Sequence, residues 1–259
     1  MYIMNNIKLE ICVYNIPSIL AALEGGANRV ELCASMPEGG ITPSKAMIEM
    51  AQRVAMDNEF KRTLDVMVMI RPRGGDFLYD KWEFEQMLKD IELCKEIGVK
   101  GVVFGILTKE GDVDRERNKI LLQAAQGMQT CFHRAIDMSR DYVKAAEDIA
   151  RLGFTRILTS GANNNATDGI ANIEKIVSLF GKDIEIMAGS GVKPNNIAQI
   201  YDRARVKAFH FSAKKIIPGQ MLYKNPNVSM GGFGDISEYD LVLSDKDEIT
   251  KAVEVIKSL

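Results

Sequence analysis

The stretch KLEICVYNIPSILAALEGGANRVELC, residues 8–33, decides the fold because it has the pattern of a strand, a helix and a second strand. Lys8–Val13 and Arg29–Cys33 are short runs of strand-forming residues, whereas apolar residues recur with helical spacing over Ile16–Glu24. Gly25 and Gly26 stand where that helix should end. This order of elements predicts a parallel βαβ unit.

The same alternation continues along the chain. Six further strands are predicted, at Val66–Arg71, Gly101–Gly105, Thr130–Arg134, Arg156–Thr159, Ile184–Ala188 and Ala208–Ser212. Helical periodicity covers Pro43–Ala55, Lys81–Ile97, Asp114–Ala125, Tyr142–Leu152 and Ile170–Phe180. Eight strands alternating with helices predict an α/β fold of the (β/α)8 TIM-barrel type, and 259 residues is close to the length usual for one. No shift in composition divides the chain, so we expect a single domain over residues 1–259.

The region after the eighth strand differs from the rest. Residues 214–244 are rich in Gly, Asn, Pro, Ser and Met and show no clean period, which predicts a long irregular loop. Residues 245–259 follow it, and Ile249, Val253 and Ile256 share one face there, which predicts a terminal helix. Loops of this length in compact domains are usually functional or mobile.

Composition excludes several classes of protein. Apolar residues make up 46% of the chain and charged residues 26%, which are ordinary values for a globular protein with a sizeable core. A net charge of −2 gives no reason to expect nucleic acid or a membrane surface as partner. We find no signal-peptide pattern and no long apolar run, and the four cysteines are too scattered for a disulfide framework. A cytoplasmic protein with reduced thiols is therefore expected.

The predicted interior of the barrel is unusually polar. Alternate residues of a barrel strand face the axis, so the apolar Leu9, Ile11 and Val13 leave Glu10 and Cys12 pointing inward. The same alternation directs these residues of other strands inward: Glu31, Cys33, Met67, Met69, Arg71, Glu185, Met187, Ala208, His210 and Ser212. Such interiors are ordinarily filled by Val, Ile and Leu.

Two explanations of these polar residues stay open. One is a structural ion-pair network in which Glu10 and Glu31 hold Arg71, since an unpaired buried charge is costly. The other is a polar site at the mouth of the barrel, where this fold carries its active sites. The candidate catalytic residues of such a site are Glu10, Glu31, Arg71, His133, Glu185 and His210.

Several strand ends also suit an anionic ligand. The third strand leads into Arg71-Pro72-Arg73-Gly74-Gly75, in which guanidinium groups and glycines could meet a carboxylate or phosphate, or could simply form a tight turn with internal ion pairs. The loops after the seventh and eighth strands commonly form a phosphate site in this fold. The candidate anion-binding residues are Arg73, Arg134, Asp137, Thr159, Gly189, Ser190, Gly191 and Ser212.

Cys12 and Cys33 are inward residues on neighbouring predicted strands. Two thiolates there could bind a soft ion such as Cu(I), with Met67, Met69 or a histidine adding a ligand. Buried cysteine also serves as a small apolar side chain, and on the residues alone this second role is the preferred interpretation.

Blocks of the sequence resemble the CutC family, whose members are labelled copper homeostasis proteins. The resemblance runs from Leu9 to Ala213 and rests on these blocks: Glu31-Leu32-Cys33, residues 38–44, residues 69–77, residues 101–105, residues 132–135, residues 156–161 and Phe209-His210. Two positions depart from the family pattern. Ala188 and Ser190 stand where Pro and Gly are frequent, and Tyr14-Asn15 replaces a more usual acidic and small pair.

The resemblance implies a cytoplasmic TIM barrel, often dimeric, with a polar cavity at the strand C-termini and with Cys12 and Cys33 as Cu(I) ligands. We therefore expect a copper homeostasis protein that binds Cu(I), acting as a homodimer or higher homo-oligomer. The alternative is a lyase, isomerase or hydrolase that acts on a small anionic or phosphorylated substrate at the same face. Its partner would be that anion, whereas the first hypothesis makes copper ion the partner.

Overall fold

Eight parallel strands close into a barrel in a computed structural model that describes residues 7–57, 62–228 and 236–259. The strands are β1 (Lys8–Val13), β2 (Arg29–Leu32), β3 (Asp65–Met69), β4 (Gly101–Phe104), β5 (Gln129–Phe132), β6 (Arg156–Thr159), β7 (Glu185–Ala188) and β8 (Ala208–Phe211). Each strand pairs with its neighbour in chain order, and β8 pairs with β1. The predicted (β/α)8 TIM barrel is confirmed.

Helices alternate with these strands and surround the barrel. They are α1 (Ile16–Gly25), α2 (Lys45–Ala55), α3 (Lys81–Ile97), α4 (Arg115–Ala124), α5 (Tyr142–Leu152), α6 (Ile170–Phe180), α7 (Ile197–Ala204) and α8 (Lys246–Ser258). Short 3-10 helices occupy Met36–Glu38 and Arg134–Met138. No helix within the described residues has the length and apolar character needed to cross a bilayer.

Local signals in the sequence explain where the helices begin and end. The Asn15 side chain accepts a hydrogen bond from the Ser18 backbone N–H and caps α1, which ends at Gly26 with φ of 92°. Asp80 and Glu83 form a reciprocal capping box at the start of α3. These caps satisfy backbone groups that have no partner within the helix, so local sequence sets both ends of α1 and the start of α3.

Side-chain alternation separates two packed regions. Leu9, Ile11 and Val13 belong to the main core between the strands and the helices. Cys12 belongs to a second cluster that fills the barrel interior, together with Cys33, Met67, Met69, Val103, Cys131, Leu158, Met187 and Ala208. The inward direction predicted for Cys12, Cys33 and the two methionines is therefore confirmed.

The region after β8 is more regular than the sequence indicates. Lys214–Pro218 (β9) and Asp240–Ser244 (β10) pair as an antiparallel hairpin, in register from Lys214 with Ser244 to Pro218 with Asp240. The prediction of an irregular loop over residues 214–244 is wrong at both ends, and residues 229–235 of it lie outside the described residues. The Asn15 side chain donates to the Val242 carbonyl and thereby fastens β10 to the start of α1. The terminal helix is present as α8.

Candidate functional site

A cavity of about 590 Å³ opens where the barrel strands end. Its lining combines charged, polar and apolar side chains. Its lining residues are Cys12, Tyr14, Glu31, Gly39, Met69, Arg71, Phe77, His133, Arg134, Leu158, Ser190, Gly191, Val192, Lys193, His210, Phe211, Ser212, Ala213, Lys214 and Glu248. Many of the predicted site residues are therefore brought to one place.

His210 links two buried carboxylates at the floor of this cavity. Its Nδ1 atom lies 2.8 Å from Glu10 Oε1, and its Nε2 atom lies 3.7 Å from Glu31 Oε2. Glu10 and Glu31 are both fully enclosed, and Oε1 of Glu31 has no hydrogen-bond partner among the described residues. The strand register explains the contact, because Glu10 of β1 lies directly opposite His210 of β8.

Two thiols lie beside this histidine. The Sγ atoms of Cys12 and Cys33 are 4.0 Å apart, and Cys33 Sγ lies 3.6 Å from Glu31 Oε2. The Tyr14 hydroxyl is 3.3 Å from Cys12 Sγ and completes the group. One donor atom from each of Cys12, Cys33 and Glu31 lies within 4.8 Å of the others, as do those of Glu10, Glu31 and His210. Sulfur, nitrogen and oxygen donors thus share one enclosed place.

Burial and neighbouring charges shift the pKa values of Glu10 and Glu31 in opposite directions. Burial would raise the pKa of Glu10, but Arg29 and His210 together hold it well below its ordinary value. Burial raises the pKa of Glu31 to about 8, and the attraction of His210 only partly opposes that rise. Burial would lower the pKa of His210, yet Glu31, Cys12 and Glu10 raise it well above its ordinary value. These shifts favour an ionised Glu10 and a protonated His210.

The pKa values of the two thiols are also shifted in opposite directions. A hydrogen bond from Cys33, with His210 adding to it, lowers the pKa of Cys12 well below its ordinary value in spite of burial. The same hydrogen bond and burial raise the pKa of Cys33. Cys12 is thus the thiol whose pKa is lowered, and it lines the cavity.

Arg71 does not pair with Glu10 or Glu31. The sequence therefore predicted the wrong cation for the buried ion-pair network. The guanidinium group donates to the carbonyl oxygens of Glu38, Gly40 and Gly75. Among the described residues no carboxylate lies within ion-pair distance of it. Arg71 comes after β3 has ended, at the level of the loops, which is why it cannot reach the carboxylates at the cavity floor.

The cation that pairs with Glu10 is Arg29, which the sequence reasoning missed. Arg29 Nε lies 2.5 Å from Glu10 Oε2, and its Nη2 lies 3.3 Å from Glu185 Oε1. Glu185 also pairs with Arg156. Alternation could have found both arginines, because each stands two residues before an inward-facing residue, Glu31 or Leu158.

The position predicted for Glu185 at the barrel mouth is wrong. Glu185 is the first residue of β7, so its side chain lies at the N-terminal end of the barrel, opposite the cavity. Its partners are Arg29, the first residue of β2, and Arg156, the first residue of β6. Alternation gives the face of a strand that a residue occupies, but not its height along the barrel axis.

His133 lies in the cavity wall on the opposite side from the thiols. Its Nδ1 accepts a hydrogen bond from the Ala135 backbone N–H, and its ring packs 4.9 Å from the ring of Phe77. Burial and the charge of Arg71 lower its pKa to about 3, so the ring is neutral and Nε2 carries the proton. That Nε2 has no acceptor among the described residues.

Four predicted anion ligands are occupied by internal contacts. Arg73 binds Glu83 and Asp76, outside the cavity. Asp137 accepts hydrogen bonds from Thr159 Oγ1 and from the backbone N–H groups of Ser160 and Ala162, and it pairs with Arg134. These contacts fix the loop after β6 against the 3-10 helix. Of the four, only Arg134 lines the cavity.

The loops after β7 and β8 contain backbone N–H groups without acceptors. The Gly189 N–H is committed to the Thr159 carbonyl, so this predicted ligand is wrong. The Ser190 hydroxyl donates to the Asn164 carbonyl, 2.7 Å away. In contrast, no acceptor within the described residues is bonded to the backbone N–H groups of Ser190, Gly191 and Ser212. These three residues line the cavity.

Known proteins match nearly the same part of the chain that carries the resemblance seen in the sequence. Residues 7–215 match the model of the CutC family. The chain belongs to the CutC family. A CutC family protein of Bacteroides thetaiotaomicron is 43% identical over 255 residues, which cover 98% of this chain and 100% of the relative. One of Parabacteroides distasonis is 45% identical over 241 residues, covering 93% of this chain and 97% of the relative.

Solved structures agree with this family membership. A CutC protein from Streptococcus agalactiae, provisionally described as a copper homeostasis protein, superposes with a TM-score of 0.74 at 35% identity. The alignment covers 80% of this CutC-family chain and 98% of that one. Phosphoribosyl anthranilate isomerase from Thermotoga maritima superposes at 0.58 with 13% identity, covering 98% of this chain and 100% of that one, which shows the shared barrel fold alone.

Proposed function

We propose that this CutC-family protein binds Cu(I) as part of copper homeostasis, with Cys12 and Cys33 as the principal ligands. The observation that carries the proposal is the 4.0 Å separation of the two buried sulfur atoms. Metal–thiolate bonds of about 2.3 Å to both sulfurs would enclose an angle of about 120°. One ion can therefore bridge the pair without movement of the strands.

The chemistry of the donors favours a soft cation. Thiolates select Cu(I) over hard ions such as Mg²⁺ and Ca²⁺, which prefer an all-oxygen shell. The lowered pKa of Cys12 favours its thiolate, which is the form that binds a metal ion. The family name and the description of the Streptococcus agalactiae relative support copper as the cargo.

His210 is the candidate third ligand. Glu10 holds its Nδ1 at 2.8 Å, which is the carboxylate–histidine arrangement that orients a metal-binding imidazole. The Nε2 atom is then left on the side of Glu31. His210 must lose a proton to bind metal, so ion uptake at this site releases protons.

An anaerobic titration of the full chain tests the proposal. Cu(I) is supplied against a chromophoric Cu(I) chelator, and we expect the protein to retain one equivalent. The Cys12→Ser, Cys33→Ser double variant is expected to lose that equivalent. Cys94→Ser, which removes a buried thiol of α3, is the matched control and should retain it.

Undiminished Cu(I) retention by the double variant would remove the basis of the proposal. Loss of copper from the Cys94→Ser control as well would show that general thiol content, not this pair, holds the ion. Circular dichroism of each variant establishes that the barrel is intact.

A further inference from the structure

We infer that the same cavity also contains a binding site for the phosphate of a small phosphate monoester, at the ends of β7 and β8. The site lies across the loops that contain Ser190, Gly191 and Ser212, and it uses none of the thiols. It goes beyond copper binding, because its ligand is an organic anion.

Unused hydrogen-bond donors are the first argument. Ser190, Gly191 and Ser212 line the cavity, and the backbone N–H group of each has no acceptor among the described residues. Ser190 and Gly191 have consecutive positive φ angles of 71° and 67°. Positive φ at two successive residues belongs to a tight turn, and the backbone N–H groups of such a turn are available donors for an anion.

Uncompensated positive charge is the second argument. Lys193 and Lys214 line the same cavity, as does Glu248, and no ion pair of either lysine is found within the described residues. Arg71, buried in the cavity wall, is bonded only to carbonyl oxygens there. An enclosed guanidinium without a carboxylate is costly, and an anion in the cavity would offset that cost.

The form of the cavity indicates a monoester in preference to free phosphate. A volume of about 590 Å³ is many times that of a phosphate ion and falls in the range of small-molecule sites. Phe77 and Leu158 supply apolar wall, and His133 supplies an unpartnered, buried ring nitrogen on the far side. An organic group attached to the phosphate would lie along this surface.

Two variants at Ser212 that differ only in charge test where the phosphate binds. In Ser212→Asp a carboxylate enters the proposed phosphate site, whereas Ser212→Asn introduces a side chain of the same shape without the charge. Glycerol 3-phosphate binding is measured by isothermal titration at low ionic strength, with inorganic phosphate and glycerol as the comparison ligands. All proteins carry Cys12→Ser and Cys33→Ser. Phosphate binding is therefore measured without the two thiols, and its outcome does not depend on whether the copper proposal is correct.

We expect saturable binding of glycerol 3-phosphate, weaker binding of inorganic phosphate and none of glycerol. Ser212→Asp should weaken the affinity by at least about tenfold through charge repulsion, and Ser212→Asn by less than about threefold. If Ser212→Asp fails to fold, a Lys193→Gln, Lys214→Gln double variant replaces it and should weaken binding by a similar factor.

Three results would overturn the inference. Glycerol 3-phosphate could fail to bind at all. It could bind equally well to the Asp and Asn variants, or to the double lysine variant and its parent. Equal affinity for inorganic phosphate and glycerol 3-phosphate would exclude a monoester site.

Discussion

His210 and Glu10 illustrate how single residues determine the chemistry of the cavity floor. Glu10 accepts from His210 Nδ1 on one oxygen and from Arg29 on the other, so the carboxylate stays ionised although it is fully buried. That ionised carboxylate in turn sets the orientation of the imidazole. The polarity of the barrel interior is thus a linked set of contacts, not a collection of isolated charges.

His133 gives a pH-dependent prediction. Its ordinary pKa of 6.5 is lowered to about 3 in the folded protein by burial and by the charge of Arg71. Between those values the unfolded chain binds a proton that the folded chain does not, so stability falls as the pH drops from 6.5 towards 3. His133→Asn keeps an acceptor for the Ala135 N–H but cannot titrate.

Urea unfolding at several pH values between 6.5 and 4 measures this effect. The free energy of unfolding of the wild type should fall more steeply with decreasing pH than that of His133→Asn, by up to about 1.4 kcal/mol per pH unit. Near pH 7.5 the free energy of unfolding should depend on pH equally in the wild type and in His133→Asn, which serves as the internal control. Parallel curves across the acidic range would contradict the assignment of a neutral, buried imidazole.

Ser190 shows a residue-level feature that the sequence alone left unexplained. It stands where the family pattern often has Gly, and it adopts a φ of 71°, a conformation that favours glycine. Its hydroxyl bonds the Asn164 carbonyl and so compensates for part of the strain. Local hydrogen bonding therefore lets a side chain occupy a position that otherwise selects glycine.

At the level of elements, Asp137 joins the 3-10 helix Arg134–Met138 to the loop after β6. Its carboxylate satisfies backbone N–H groups of Ser160 and Ala162 as well as the Thr159 hydroxyl. Asp137→Ala would leave these donors unpaired, and we expect it to destabilise the protein by about 2–4 kcal/mol.

Chemical denaturation measures the effect of Asp137→Ala against that of Asp202→Ala. Asp202 is exposed on α7, so its loss should change the free energy of unfolding by no more than about 0.5 kcal/mol. Equal stability of the two variants would show that the Asp137 contacts contribute nothing net.

Elements with a strong local signal could be predicted from the sequence. β1, β6, α3, α5 and α6 have the bounds expected from the pattern, because alternation, helical spacing and capping residues all operate within a few positions. The β9–β10 hairpin could not be predicted from the sequence. Its two strands are separated by about twenty residues that show no clear strand or helix periodicity. Hydrogen bonds also join β10 to Asn15 and to Ser18 of α1, and no local pattern contains such long-range contacts.

At the level of the whole molecule, the polar interior divides along the barrel axis. Arg29, Glu185 and Arg156 form an ion-pair group at the N-terminal end, and His210, Glu31 and the thiols lie towards the cavity. Glu10 belongs to both groups through Arg29 and His210. Alternation predicted that charged residues point inward, but the division between the two ends depends on strand stagger and closure, which are properties of the assembled barrel.

The candidate site was predictable only in part for the same reason. Cys12 and Cys33 are inward residues of neighbouring strands, so their proximity follows from the sequence. The contact between Glu10 and His210 requires β8 to close on β1, which is a long-range event. Cytoplasmic location and the homo-oligomeric state stay predictions.

We propose above all that Cys12 and Cys33 bind one Cu(I) ion at the floor of the cavity. X-ray diffraction from crystals of the anaerobically loaded protein, recorded on both sides of the copper absorption edge, tests it most directly. We expect a single anomalous peak about 2.3 Å from both sulfur atoms. A copper peak elsewhere in the molecule, or none between these two sulfurs at full loading, would contradict it.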